Sequence, residues 1–109
     1  MMMGQLIIEW QVNNVQRLYN LGARKFVISG IGQMGCIPSI LAQSPTGACS
    51  EEVNLLVQPF NANVKTMMSN LSANLPASTF TYVDIAHMFS DIATNARSYG
   101  IYIYNFILF

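Results

Sequence analysis

The alternation of its segments predicts an α/β chain with parallel strands. Three observations predict it. Apolar residues recur every three or four positions over residues 5–21 and again over 53–75, as one face of a helix requires. Each of these stretches is followed by a short apolar or β-branched run, at 26–31 and 79–84. A third helical stretch, 85–97, then closes an α, β, α, β, α order, the pattern of parallel α/β sandwiches.

In the first helix the apolar face is Ile8, Val12, Val15, Leu18 and Tyr19, and Gly22 follows the last apolar position, where a left-handed residue can end a helix. The run Phe26-Val27-Ile28-Ser29-Gly30-Ile31 is short, apolar and bounded by glycines, as a strand buried on both faces would be. Residues 32–50, with Gly35, Pro38, Pro45 and Gly47, read as a loop. A long helix follows. Ser50 is placed to cap it, and Glu51 and Glu52 suit its positive end. Its stripe is Val53, Leu56, Val57, Phe60, Val64, Met67, Met68, Leu71 and Leu75. Pro59 predicts a kink or break inside it, since an interior proline costs about 3 kcal/mol. Pro76 marks its end, Thr79 to Asp84 form the second strand, and Met88, Phe89, Ile92 and Ala96 share one side of the last helix. Two strands are too few for a parallel sheet covered on both faces, so the expected fold is a partial sandwich.

The 109 residues are 52% hydrophobic and only 9% charged, where soluble domains carry about a quarter charged residues. Such a surface predicts apolar faces that pack against other chain or self-associate. Five basic residues balance five acidic ones, so nucleic-acid binding has no electrostatic footprint. Met1 to Ile8 lacks the positive start and small-residue cleavage site of a signal peptide. The apolar run 101–109 has nine residues, short of the ~20 that span a bilayer as a helix.

Several patterns offer chemistry, each with a structural alternative. Gly30-x-Gly32-x-x-Gly35 follows a strand, as in dinucleotide-binding loops, but Cys36-Ile37-Pro38 stands where the phosphate-binding helix should begin. The expected role is a glycine-rich loop, with no cofactor. Asp84-x-x-His87 has a spacing found in ester hydrolases, where the acid orients an imidazole that deprotonates a serine. His87 is the sole histidine, no serine stands in a Gly-x-Ser-x-Gly or Gly-Asp-Ser-Leu setting, and Asp84 also reads as a helix cap. One histidine, two cysteines and scattered carboxylates make no metal set, and the methionines read as core filler. Cys36 and Cys49, 13 positions apart, would close a loop worth about 3 kcal/mol if oxidised and stay free thiols in a reducing compartment. Asn70-Leu71-Ser72 is a glycosylation sequon that matters only in a secreted chain.

Leu18-Tyr19-Asn20-Leu21-Gly22-Ala23-Arg24-Lys25-Phe26-Val27-Ile28 resembles the "LYxLGARKFV" segment of plant GDSL esterases/lipases, members of the SGNH hydrolase superfamily. The likeness continues through Gly30-Ile31-Gly32-Gln33-Met34-Gly35-Cys36-Ile37-Pro38, Cys49, Phe60-Asn61, Asp84, Met88-Phe89, Asp91-Ile92 and Asn95-Ala96-Arg97-Ser98-Tyr99-Gly100, so it runs from about Ile7 to Gly100. It implies a three-layer α/β/α sandwich, secretion, hydrolysis of carboxylic esters including acyl lipids, and no cofactor. It also implies that Cys36 and Cys49 pair in secreted relatives. The family's Gly-Asp-Ser nucleophile and its glycine and Gly-x-Asn-Asp oxyanion donors precede the matched region, and its Asp-x-x-His block, usually followed by proline, comes after it. Asp84-x-x-His87 lacks that proline and is read as a coincidence. The expectation is a truncated, inactive part-domain over 1–100 with no catalytic, cofactor or metal residue, and a divergent apolar tail over 101–109. The alternative is a non-catalytic piece that pairs with a full-length relative.

Overall fold

The computed structural model describes residues 2–101. The apolar tail expected at 101–109 lies, from Tyr102 onward, outside the described residues. Helix α1, Met2–Asn20, is followed by strand β1, Lys25–Ser29. Then come a 3-10 turn, Met34–Cys36, a short helix α2, Pro38–Gln43, and the long helix α3, Glu51–Asn74. Strand β2, Thr79–Val83, leads into α4, Ile85–Thr94, and a second 3-10 turn, Ala96–Tyr99. The chain divides into two compact units: residues up to Gly30 with Pro59–Val83, and Ile31–Gln58 with the residues from Asp84 on.

In the first unit, α1 ends because Gly22 takes φ +111°. The Gly22 amide donates to the Tyr19 carbonyl and the Ala23 amide to that of Leu18, the paired bonds of a Schellman turn. The turn delivers the chain to β1, which pairs parallel with β2 from Lys25↔Thr79 to Ser29↔Val83. Phe26 and Phe80, opposite each other in this register, stack at 5.0 Å. The buried residues of this unit are Ile8 and Val15 of α1, Phe26, and Phe60, Val64, Met67, Met68 and Leu71 of α3. Val64 is fully buried. The periodic stripes thus supply the core, as expected, although Leu18 and, in the second unit, Leu56 are exposed.

Four expectations need correction. The helix α3 runs through Pro59 without a break. Leu55, whose carbonyl loses its usual partner to the proline, and Pro59 itself both lie on the exposed side, where water can replace that bond. The stretch 32–50 is not all loop, since Pro38 opens α2 at its first turn, a position where its missing N–H costs nothing. Strand β1 is not buried on both faces: Val27 is 73% exposed, because among the described residues the sheet has two strands. In the second unit, α4 stops at Thr94 and a 3-10 turn completes the stretch that sequence periodicity extends to Arg97. Gly100 closes it at φ +79°.

Candidate functional site

Asp84 and His87 do meet, but through the wrong atoms for catalysis. Asp84 is the residue before α4, and its carboxylate Oδ1 accepts from the backbone N–H of His87 at 2.9 Å. Three residues on from the cap is the standard place for that bond, and such a cap contributes about 1 kcal/mol. The spacing that suggests an acid–base pair is here the spacing of a helix start. Three serine hydroxyls are engaged in caps and turns. Ser50 Oγ accepts from the Val53 N–H at 3.3 Å and caps α3, Ser78 Oγ donates to the Leu75 carbonyl at 2.5 Å, and Ser44 pairs with Thr46 at 3.4 Å.

The glycines have steric reasons. A Cβ at Gly30 would collide with Tyr82 Oη and Asn61 Oδ1, in the first unit. A Cβ at Gly35 would run into the Ser50 backbone carbonyl and Asn54 Oδ1, in the second. Gly32 is less confined, with Ile85 at ordinary contact distance. No long helix starts after Gly35; the 3-10 turn ends at Cys36.

That turn is stapled to the start of α3. Cys36 and Cys49 form a disulfide, with Cα atoms 4.5 Å apart. The Ser50 N–H donates to the Gly35 carbonyl at 2.8 Å, and the Gly35 N–H donates to Asn54 Oδ1 at 2.8 Å. The other end of the Asn54 carboxamide, Nδ2, reaches Cys36 Sγ at 3.6 Å. Beside the staple lies an open depression of about 580 Å³. Gly32, Met34, Ile37 and Pro38 from the segment after β1 line it, with Ile85 and Phe89 from the segment after β2. It therefore collects, within the second unit, the segments that follow β1 and β2 in the chain. Its lining is mostly apolar, with Gln33 and Ser39 as its polar side chains, and holds no acid or histidine.

The remaining motif residues build turns. Arg24 lies over the Tyr19 ring, 3.9 Å from its centroid, and its Nη1 donates to the Tyr19 and Ala23 carbonyls at 2.9 and 2.8 Å. The Tyr19 hydroxyl donates to the Pro76 carbonyl at 2.8 Å. In the second unit Asp91 accepts from the Tyr99 hydroxyl and, at 2.9 Å, from Asn95 Nδ2. The Tyr99 hydrogen bond, then that of Asn95, holds the Asp91 carboxyl below its usual range, with His87 a lesser cause. The same bond holds the Tyr99 phenol above its own usual range. Both groups are solvent-facing and form a helix-end lock, not a buried acid. Sequence reasoning missed Asn54, whose partners lie 18 and 19 positions away. Among the described residues no cluster of three or more His, Cys, Asp or Glu could hold a metal ion, and no helix is long and apolar enough to cross a membrane.

Helices beside a parallel strand pair, with both post-strand segments converging on one depression, define a partial α/β sandwich of the SGNH hydrolase kind. The chain belongs to the family described as GDSL-like Lipase/Acylhydrolase, whose sequence model matches residues 7–104. It is 61% identical over 90% of its length to GDSL esterase/lipase At1g71691 of Arabidopsis thaliana, covering 26% of that protein. It is 38% identical over 92% of its length to GDSL esterase/lipase 7 of the same plant, covering 28% of it. To GDSL esterase/lipase ENOD8 of Medicago truncatula it is 37% identical over 86% of its length, covering 26%. The chain thus spans about a quarter of the length of the curated relatives it matches. No solved structure matches it significantly.

Proposed function

We propose that these residues are a scaffold segment of a serine-type ester hydrolase, inactive by themselves. The parent chemistry is attack of a serine on an ester carbonyl followed by hydrolysis of the acyl-enzyme. One observation carries the inactivity: the sole histidine meets Asp84, the acid of its own motif, through a backbone amide, in the bond that caps α4. A general base needs an imidazole nitrogen within reach of a nucleophile and an acid to orient it. Family membership and the apolar depression of the second unit support the assignment to acyl substrates. The resemblance, together with the disulfide, supports a secreted parent.

The 109-residue chain is expected to hydrolyse a short acyl ester no faster than buffer. The variants Asp84→Ala and His87→Ala should leave that background unchanged. Turnover well above buffer that His87→Ala abolishes would show a working base and end this reading.

Exposed Trp10, Leu21 and Val27, at 66%, 85% and 73%, favour a second reading in which apolar faces associate. Mixed with a full-length relative, the chain is expected to co-elute with it on size exclusion, and separate elution at every ratio would count against association.

A further inference from the structure

Asn70-Leu71-Ser72 is the one Asn-x-Ser/Thr triplet in the sequence. It lies in α3, within the first unit. Asn70 and Ser72 are exposed, while Leu71 between them is buried at 4%. The core therefore holds the triplet by its middle residue and leaves the two chemically relevant side chains in solvent.

Asn70 borders a shallow groove between α1 and α3, of about 640 Å³. The groove is edged by six carboxamides, Gln5, Asn13 and Gln16 on α1 and Asn63, Asn70 and Asn74 on α3, and all six are exposed. In a chain with only 9% charged residues, this groove gathers six carboxamides with Glu9 and Thr66 on one face of the first unit. It contrasts with Trp10 and Val27, which offer apolar area for further chain to cover. Covering the amide face would leave six side chains needing new partners, and each one left unsatisfied would be costly. The amide face is thus less suited than the apolar faces to be covered by further chain. The third observation is the Cys36–Cys49 disulfide, in the second unit, which belongs to chains that pass through an oxidising compartment. That is also where oligosaccharide is transferred to asparagine.

We infer that Asn70 is an N-glycosylation site whose oligosaccharide projects from this polar face. In the transfer, the Asn70 amide nitrogen bonds to the anomeric carbon of a lipid-pyrophosphate-linked oligosaccharide. The bond from that carbon to the pyrophosphate oxygen breaks, the lipid pyrophosphate leaves, and one amide proton passes to a base of the transferring enzyme. Ser72 supplies the hydroxyl that the enzyme reads two positions on. Modification occurs on the emerging chain, before α3 forms, and the exposed position then lets the helix close with the sugar outside. Nothing in this assignment depends on esterase activity.

The test is translation of the whole chain behind a cleavable secretory leader in the presence of microsomes, scored only in the protease-protected pool. The expected result is a single upward mobility step that peptide N-glycosidase removes, leaving aspartate at position 70 by mass spectrometry. Asn70→Gln and Ser72→Ala should each abolish the step, and Ser72→Thr should keep it. A protected pool that carries the disulfide but no enzyme-sensitive step would overturn the assignment, as would a step that survives Asn70→Gln.

Discussion

Removing the Cys36–Cys49 bridge is expected to lower unfolding stability by about 3 kcal/mol, the largest single loss foreseen for this chain. The magnitude follows from chain entropy. A bridge that closes a loop of this length denies the unfolded chain a corresponding share of its conformations. It also follows from what the bridge holds in the folded state. The 3-10 turn Met34–Cys36 has too few residues to persist alone, and its position depends on the start of α3 through the disulfide, the Ser50–Gly35 backbone bond and the Asn54 carboxamide. Urea unfolding of the double variant Cys36→Ser/Cys49→Ser should show the loss. Reductant should reproduce it in the unmodified chain and have no effect on the variant. An unfolding midpoint unmoved by reductant would show that the bridge contributes no stability.

How much of this was legible in the sequence depended on the range of the interaction. Repetition along one helix face was legible: Ile8 and Val15 in α1, and Phe60 through Leu71 in α3, are buried because helical period alone puts them on one side. Ends set by local chemistry were legible too, at Gly22 and Ser50, since each acts within a few residues of itself. Helix α2 was not, because its six residues are too few to show a period and Pro38 reads as loop unless it is known to stand in a first turn. Pro59 misled for a different reason. Its cost depends on whether solvent can satisfy the freed carbonyl, and exposure is a property of the fold.

The candidate site was legible only as an ambiguity. Asp84-x-x-His87 has one spacing and two meanings, because a cap reaches the backbone N–H three residues on while a dyad needs the side chain of that same residue. Only the position of the carboxylate decides, and it lies on the amide. The glycine triplet was ambiguous in the same way. A glycine kept free for a phosphate and a glycine kept free for a neighbouring carbonyl look alike in sequence. Ser50 and Asn54, which crowd Gly35, stand 15 and 19 positions away, beyond any local pattern.

Gly35→Ala should accordingly cost about 1–3 kcal/mol, from sterics alone. Gly35 does not have a left-handed backbone, so alanine meets no conformational strain there. The added methyl would instead occupy the space of the Ser50 carbonyl oxygen. That atom belongs to the backbone and cannot rotate aside. It accepts from the Asn54 N–H at 3.1 Å, and the neighbouring Cys49 is bonded to Cys36. Gly22 is the natural control, being open on every side but at φ +111°, so that alanine there adds strain without a clash. The two costs separate in a cycle with the disulfide. With Cys36 and Cys49 replaced by serine, the start of α3 can retreat from position 35, so the Gly35→Ala penalty should shrink while that of Gly22→Ala, in the other unit, stays the same. Equal Gly35→Ala penalties with and without the bridge would show that the disulfide does not hold the clashing carbonyl in place, and no penalty at all would show that the contact is not made.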